Sequence, residues 1–144
     1  LSFLEDESDM VSNHCQMYVA FLQNHIFQMV DAVGASDADK ALKLYNELIE
    51  LKEAPSYILY MLIRHFNILL QISSLGGAAK NEIAAKIGIS PYFVGNYQRQ
   101  AAGFKREQLK NALESSLDTE QKFKTGILDD QIGVELLIVG LVSR

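Results

Sequence analysis

Apolar residues recur at steps of three and four along most of this chain, which is the spacing of one face of an α-helix. Residues 37–50 show the pattern clearly, because Ala41, Leu44, Tyr45 and Leu48 form one stripe between charged positions. No segment keeps the two-residue alternation of a half-buried β-strand. The pattern predicts an all-α chain, a single compact bundle of about seven helices at about 24–34, 37–50, 55–75, 80–87, 91–103, 106–124 and 129–143.

Residues that start or stop helices lie between these segments. Asn24 can cap the first predicted helix, and Ser36 or Asp37 can cap the second. Gly76-Gly77 end the third, because glycine readily takes the left-handed conformation that closes a helix. The start and stop signals therefore agree with the apolar periodicity.

The last predicted helix differs from the others because it is apolar on nearly all sides from Ile132 to Val142. A helix that is apolar all round is typically buried on most sides. We therefore predict that this helix lies at the centre of the bundle.

Residues 1–22 are the least regular part of the chain. Four carboxylates and no Lys or Arg occur in residues 1–24, and all four lie within the stretch 4–9. We predict an acidic linker or junction over residues 1–22 and a helical domain over residues 23–144. The chain begins with Leu1 and not with Met, which leads us to expect a fragment of a longer protein.

Length and composition indicate one globular domain. A chain of 144 residues with 49% hydrophobic and 22% charged residues can fold without disulfides or metals. Cys15 is the only cysteine, which excludes an internal disulfide framework and a multi-cysteine zinc site. The sequence has no signal-peptide pattern and no uninterrupted apolar run of roughly 20 residues, so we predict no membrane partner.

Candidate catalytic groups do not converge in the sequence. His14, His25 and His65 lie in three different segments, and none has a second ligand at the spacing of a metal site. Each histidine is most simply a surface residue or a hydrogen-bonded helix residue. No phosphate-binding glycine loop occurs. We therefore predict no catalytic site, no cofactor and no metal.

The segment EIAAKIGISPYFVGNY at 82–97 has the form of a helix–turn–helix pair. A small residue at Ala84, Gly88 in the turn and Val94 after it suit two closely packed helices. The same form occurs in modules that read duplex DNA, where the second helix contacts the edges of the bases. Here the polar side chains available for such contacts are Tyr92, Asn96, Gln98, Arg99 and Gln100.

Charge argues against DNA binding by this pair. Arg99 is the single cation of the second helix, whereas phosphate contacts usually carry much of the affinity for DNA. We favour a structural helix pair. A helix–turn–helix module that reads duplex DNA with residues 91–103 stays as the alternative.

The order of motifs over residues 23–142 resembles the C-terminal domain of the delta subunit of bacterial DNA polymerase III, a subunit of the clamp loader. The resemblance is carried by IFQMVDAV at 26–33, KALKLYNELIELKEAPSYILYMLIRHFNILLQI at 40–72, EIAAKIGISPYFVGNYQRQAAGF at 82–104, KTG at 124–126 and ELLIVGL at 135–141.

This resemblance implies an all-helical collar domain that assembles with the other clamp-loader subunits, delta prime and tau/gamma, for loading of the sliding clamp in DNA replication. It implies no catalysis by the domain, although the parent assembly is a DNA-directed DNA polymerase, a nucleotidyltransferase. It also implies that the sliding clamp is contacted only through N-terminal domains outside this sequence. The resemblance further implies that the protein works in the cytoplasm. Candidate interface or DNA-proximal residues are Tyr92, Tyr97, Arg99, Lys105 and Arg106.

Overall fold

Seven α-helices follow one another over residues 2–143, with short turns between them. The computed structural model describes the backbone of residues 2–143 and the side chains of residues 16–143. No strand occurs within that backbone range, which confirms the predicted all-α fold. The helices are α1 (Ser2–Gly34), α2 (Ala38–Glu50), α3 (Pro55–Leu75), α4 (Lys80–Ile87), α5 (Pro91–Ala102), α6 (Arg106–Lys124) and α7 (Asp130–Val142).

Helix α3 lies at the centre of the bundle. It packs against α1, α4, α5, α6 and α7, and Ile58, Leu62, Phe66 and Leu69 are among its buried residues. The prediction that the last helix is central is therefore wrong. Helix α7 packs on α1, α2, α3 and α6 with one side and exposes another, because the described helices cover only part of its apolar surface.

By length and composition, α3 is also apolar enough to cross a membrane, and half of its most apolar window is buried inside the bundle. Its buried face includes His65, whose ring is hydrogen-bonded to α5. A helix enclosed by five others has the apolar character that a bundle core requires. We therefore interpret the composition of α3 as that of a core helix.

Helix α1 is longer than the apolar pattern predicts. It runs unbroken from Ser2 to Gly34, so Asn24 lies inside the helix and the prediction that it caps a helix is wrong. Residues 2–33 contain neither proline nor glycine, and nothing in the backbone therefore interrupts the helix before Gly34. The predicted division between residues 22 and 23 stays a prediction.

The predicted cap at Asp37 is confirmed, and two further caps lie in the turn between α4 and α5. The Asp37 carboxylate accepts a hydrogen bond from the backbone N–H of Lys40 at 3.1 Å, and Ser90 Oγ accepts one from Tyr92 N–H at 3.3 Å. Gly88 ends α4 with a φ of 83°, a conformation that costs glycine little. The caps at Gly88 and Ser90 fix the tight turn between α4 and α5, where Ala84 and Val94 are both buried.

Four aromatic residues belong to the core or pack against it. Tyr45 and Phe66 are fully buried, while Phe104 and Phe123 are half-buried and pack against the core. Leu117 is not part of this core, since 46% of it is exposed. It lies on the outer side of α6, beyond the stripe that packs on α3.

Helices α6 and α7 approach each other closely because Gly133 has no side chain. A Cβ atom built there would overlap the ring of Phe123 and would lie 2.9 Å from Leu128 Cδ2. Only glycine fits this position without movement of its neighbours. The contact fixes the face that α7 turns to solvent.

Candidate interaction surface

The exposed side of α7 carries a strip of large aliphatic side chains. Ile132, Leu136 and Val139 are spaced by four and three residues, and therefore lie on one side of the helix. They are 53%, 58% and 42% exposed, whereas Val134 and Leu137 on the other side are buried. We call these three residues the α7 strip.

A groove between α6 and α7 borders the α7 strip. Its α7 wall includes Leu136 and Gly140, its α6 wall includes Thr119 and Lys122, and Ile127 from the intervening turn lies at one end. Ile127 is 74% exposed. The strip and the groove together form an apolar surface that no other part of the described chain covers, and apolar surfaces of this kind mark sites of protein association.

The charges beside the α7 strip are negative. Asp129 caps α7 through a hydrogen bond from Ile132 N–H at 3.2 Å, and Asp130 opens its first turn. Glu135 lies three residues after Ile132 and four before Val139, so it flanks the strip. On the α6 side, Lys122 Nζ is paired with Asp118 at 3.2 Å. The edge of the strip along α7 is therefore acidic.

A second exposed cluster of aromatic residues joins the described part of α1 to the start of α3. Tyr18 donates a hydrogen bond to Glu53 Oε2 at 2.5 Å, and this bond raises the pKa of the Tyr18 hydroxyl. Tyr57 and Tyr60 stack with ring centroids 6.0 Å apart, and Tyr60 is 55% exposed. Tyr57 and Tyr60 both lie in the first two turns of α3.

The five residues proposed from the sequence do not form one site. Tyr92 is 83% exposed on α5, where its ring meets Phe93 edge-on at 5.2 Å. Tyr97 instead points inward, with its ring 5.9 Å from that of Phe27 and 5.2 Å from that of His65. Tyr97 thus contributes chiefly to packing between α1, α3 and α5.

The three basic candidates lie at two places. Arg99 is exposed and lines a groove between α1 and α5. Lys105 and Arg106 start α6, and Arg106 lines a different groove together with Lys86 and Leu75. Cations that are separated in this way do not make the continuous basic stripe that is typical of a DNA-binding surface.

Gln100 is a core residue, which corrects its assignment as a possible base-reading group. His65 Nε2 donates to Gln100 Oε1 at 2.5 Å. Gln100 Nε2 in turn donates to the Phe27 carbonyl at 2.9 Å and to Asp31 Oδ1 at 2.8 Å. One amide therefore ties α5 to α1 and α3. Burial lowers the pKa of His65 to about 4, so the ring is neutral at neutral pH.

The remaining histidine with a described side chain has a structural partner as well. His25 Nε2 lies 2.9 Å from Glu47 Oε2 and links α1 to α2. The side chains of His14 and Cys15 lie outside the described residues. Among the side chains that the structure describes, no group of three or more His, Cys, Asp or Glu residues is placed to hold a metal ion.

Comparison with known proteins agrees with this architecture. A family model described as the C-terminal domain of the DNA polymerase III delta subunit matches residues 23–141. The chain is 25% identical over 146 aligned positions to the DNA polymerase III subunit delta of Bacillus subtilis strain 168, a match that covers 99% of this chain and 42% of that protein.

A solved structure is similar over most of the chain. The Bacillus subtilis DNA clamp loader delta protein superimposes with a TM-score of 0.79 at 25% sequence identity. The match covers 85% of this chain and 37% of that protein. This chain thus spans less than half the length of the relatives that it matches.

Proposed function

Because this chain belongs to the family formed by the C-terminal domains of DNA polymerase III delta proteins, we propose that it joins a delta subunit to the other subunits of a clamp loader. The role is non-catalytic, and it serves the loading of the sliding clamp in DNA replication. The family match over residues 23–141 is the observation that carries this proposal.

The α7 strip supports assembly as the task of the domain. Three large aliphatic residues stay in solvent on a helix whose opposite side belongs to the core. Covering such a strip with a partner removes apolar surface from water, which favours association. We propose that the strip and the adjoining α6/α7 groove contact a neighbouring subunit.

The partners that the family implies are the delta prime and tau/gamma subunits, in the bacterial cytoplasm. Tyr92, Arg99, Lys105 and Arg106 stay candidate contacts to another loader protein or to nearby DNA, because all four are exposed. Tyr97 is the weakest of the five candidates predicted from the sequence, since its ring packs against Phe27 and His65.

The test measures assembly with a matched pair of leucine variants. The chain is mixed with purified delta prime and tau/gamma subunits, and complex formation is followed by size-exclusion chromatography and titration calorimetry. Leu136→Glu places a charge on the α7 strip, whereas Leu51→Glu makes the same change at a leucine that is 52% exposed at the end of α2. Circular dichroism checks that both variants fold.

We expect Leu136→Glu to weaken binding by about tenfold or more, as the loss of a central interface contact does, and Leu51→Glu to leave it within about twofold. Equal binding by both variants would show that the α7 strip is not the interface. If the folded wild-type chain forms no complex with either partner, the proposed assembly function is wrong.

A further inference from the structure

Gly140 lies inside α7, and no neighbour among the described residues requires a glycine at this position. A Cβ atom built at this position meets no atom within 4 Å. Gly133, one complete heptad earlier, is different because its neighbours Phe123 and Leu128 leave no room for a side chain. Glycine weakens a helix interior relative to alanine. Packing among the described residues therefore does not account for a glycine at position 140.

The surroundings of Gly140 form a notch in an apolar surface. Gly140 is half-buried and lines the α6/α7 groove together with Leu136 and Leu137 on α7 and Thr119 on α6. Leu136 and Val139 of the α7 strip lie immediately beside it. Packed helices approach each other to a distance that depends on the side chains at their point of contact. A glycine at this point permits the closest approach.

The charge beside the notch restricts the chemistry of what can pack there. Residues 130–142 contain Asp130 and Glu135 and no Lys or Arg, and Asp129 lies at the start of the helix. The nearby Lys122 is already paired with Asp118. A partner with basic residues beside its apolar ridge complements this edge, because opposite charges across an interface favour the correct pairing.

We infer that α7 is crossed at Gly140 by a helix of a neighbouring protein in the clamp loader, which inserts an aliphatic ridge into the α6/α7 groove and places Lys or Arg beside Glu135. This inference rests on the proposed function, since it names the kind of partner surface that the α7 strip receives. Helix α7 offers a notch at Gly140 and an acidic edge, and the partner helix offers an aliphatic ridge and basic residues beside it.

The test fills the notch without disturbing the fold. Gly140→Leu adds a side chain whose Cβ lies in open space, so the variant is expected to fold at least as stably as the wild-type chain. Gly95→Leu is the matched control in α5, where a new Cβ would meet only the flexible end of Lys80. Binding of each chain to delta prime and to tau/gamma is measured by titration calorimetry. Gly140→Ala is measured too, in case the larger side chain alters folding.

We expect Gly140→Leu to weaken binding by about tenfold or more, Gly140→Ala to weaken it less, and Gly95→Leu to leave it unchanged. Binding by the wild-type chain should weaken as NaCl rises, and Glu135→Gln should flatten that dependence, whereas Glu50→Gln on α2 should not.

The outcomes separate this inference from the proposed function. If Leu136→Glu abolishes binding but both Gly140 variants bind normally, the α7 strip is the interface and the crossing at Gly140 is wrong. If the Gly140 variants bind weakly but Glu135→Gln keeps the wild-type salt dependence, the basic partner edge is wrong. If sedimentation shows that the chain covers this face with a second copy of itself and binds no other loader protein, both proposals fail.

Discussion

His65 on α3 donates its Nε2 proton to Gln100 Oε1 on α5 across 2.5 Å, inside the core of the bundle. The amide group of Gln100 continues the chain of hydrogen bonds to the Phe27 carbonyl and to Asp31 on α1. Both side chains are almost completely buried. Three helices are thus held in register by a polar link that an aliphatic residue cannot replace.

Removal of the Gln100 amide should destabilise the domain. Gln100→Ala leaves the buried His65 N–H without an acceptor, and a buried unsatisfied group costs about 1–3 kcal/mol. Urea denaturation gives the free energy of unfolding. Asn96→Ala, on the exposed side of the same helix, is the control and should change it by less than about 0.5 kcal/mol. Equal effects at the two positions would contradict the structural role of Gln100.

The burial of His65 predicts a loss of stability in acid. Its pKa falls from 6.5 to about 4 in the folded chain, because burial disfavours the charged ring. The unfolded chain therefore binds a proton more readily between these two values. The neutral His65 ring makes its full contribution to the free energy of unfolding above pH 6.5. This contribution is lost as the pH falls towards 4, and the total loss is about 3 kcal/mol.

His65→Gln tests this contribution, because glutamine keeps a donor near the Nε2 position and cannot be protonated. Unfolding free energies measured from pH 7 to pH 4 should fall less steeply for the variant than for the wild-type chain. Parallel curves would show that other groups cause the acid sensitivity.

The sequence predicts the helices well because their signals are local. Asp37, Gly76 and Gly88 act within one turn of the chain, and each has its expected role in the structure. The predicted start of helix α1 is too late because Asn24 resembles an N-cap, yet no residue before it breaks the helix. A residue that can cap a helix acts as a cap only where the preceding chain leaves the helical conformation.

The candidate surface depends on information that is not local. Periodicity shows that α7 is apolar all round, but it cannot identify which side the other helices leave uncovered. The sequence pattern therefore does not single out the strip of Ile132, Leu136 and Val139. The inward position of Gln100 has a detectable signal, since Val94, Tyr97 and Gln100 follow at steps of three and so share one side of α5.

Two neighbouring leucines in α7 should respond very differently to truncation. Leu137 is 7% exposed and packs in the core, whereas Leu136 is 58% exposed. Leu137→Ala should destabilise the chain by about 2–5 kcal/mol through lost burial and a cavity. Leu136→Ala should change the free energy of unfolding, measured in urea, by less than about 1 kcal/mol. A small effect at Leu137 would mean that α7 contributes little to the core.

Alanine substitutions at the two glycines inside α7 should change the stability of the chain in opposite directions. Alanine at position 133 would overlap Phe123 and Leu128, and overpacking of this kind costs about 1–3 kcal/mol. Alanine at position 140 meets open space and should stabilise the helix by about 0.5–1 kcal/mol. Thermal denaturation of Gly133→Ala and Gly140→Ala measures both changes in the isolated chain. If Gly140→Ala is destabilising there, the fold itself requires the glycine, and its assignment to contact with a partner loses its basis.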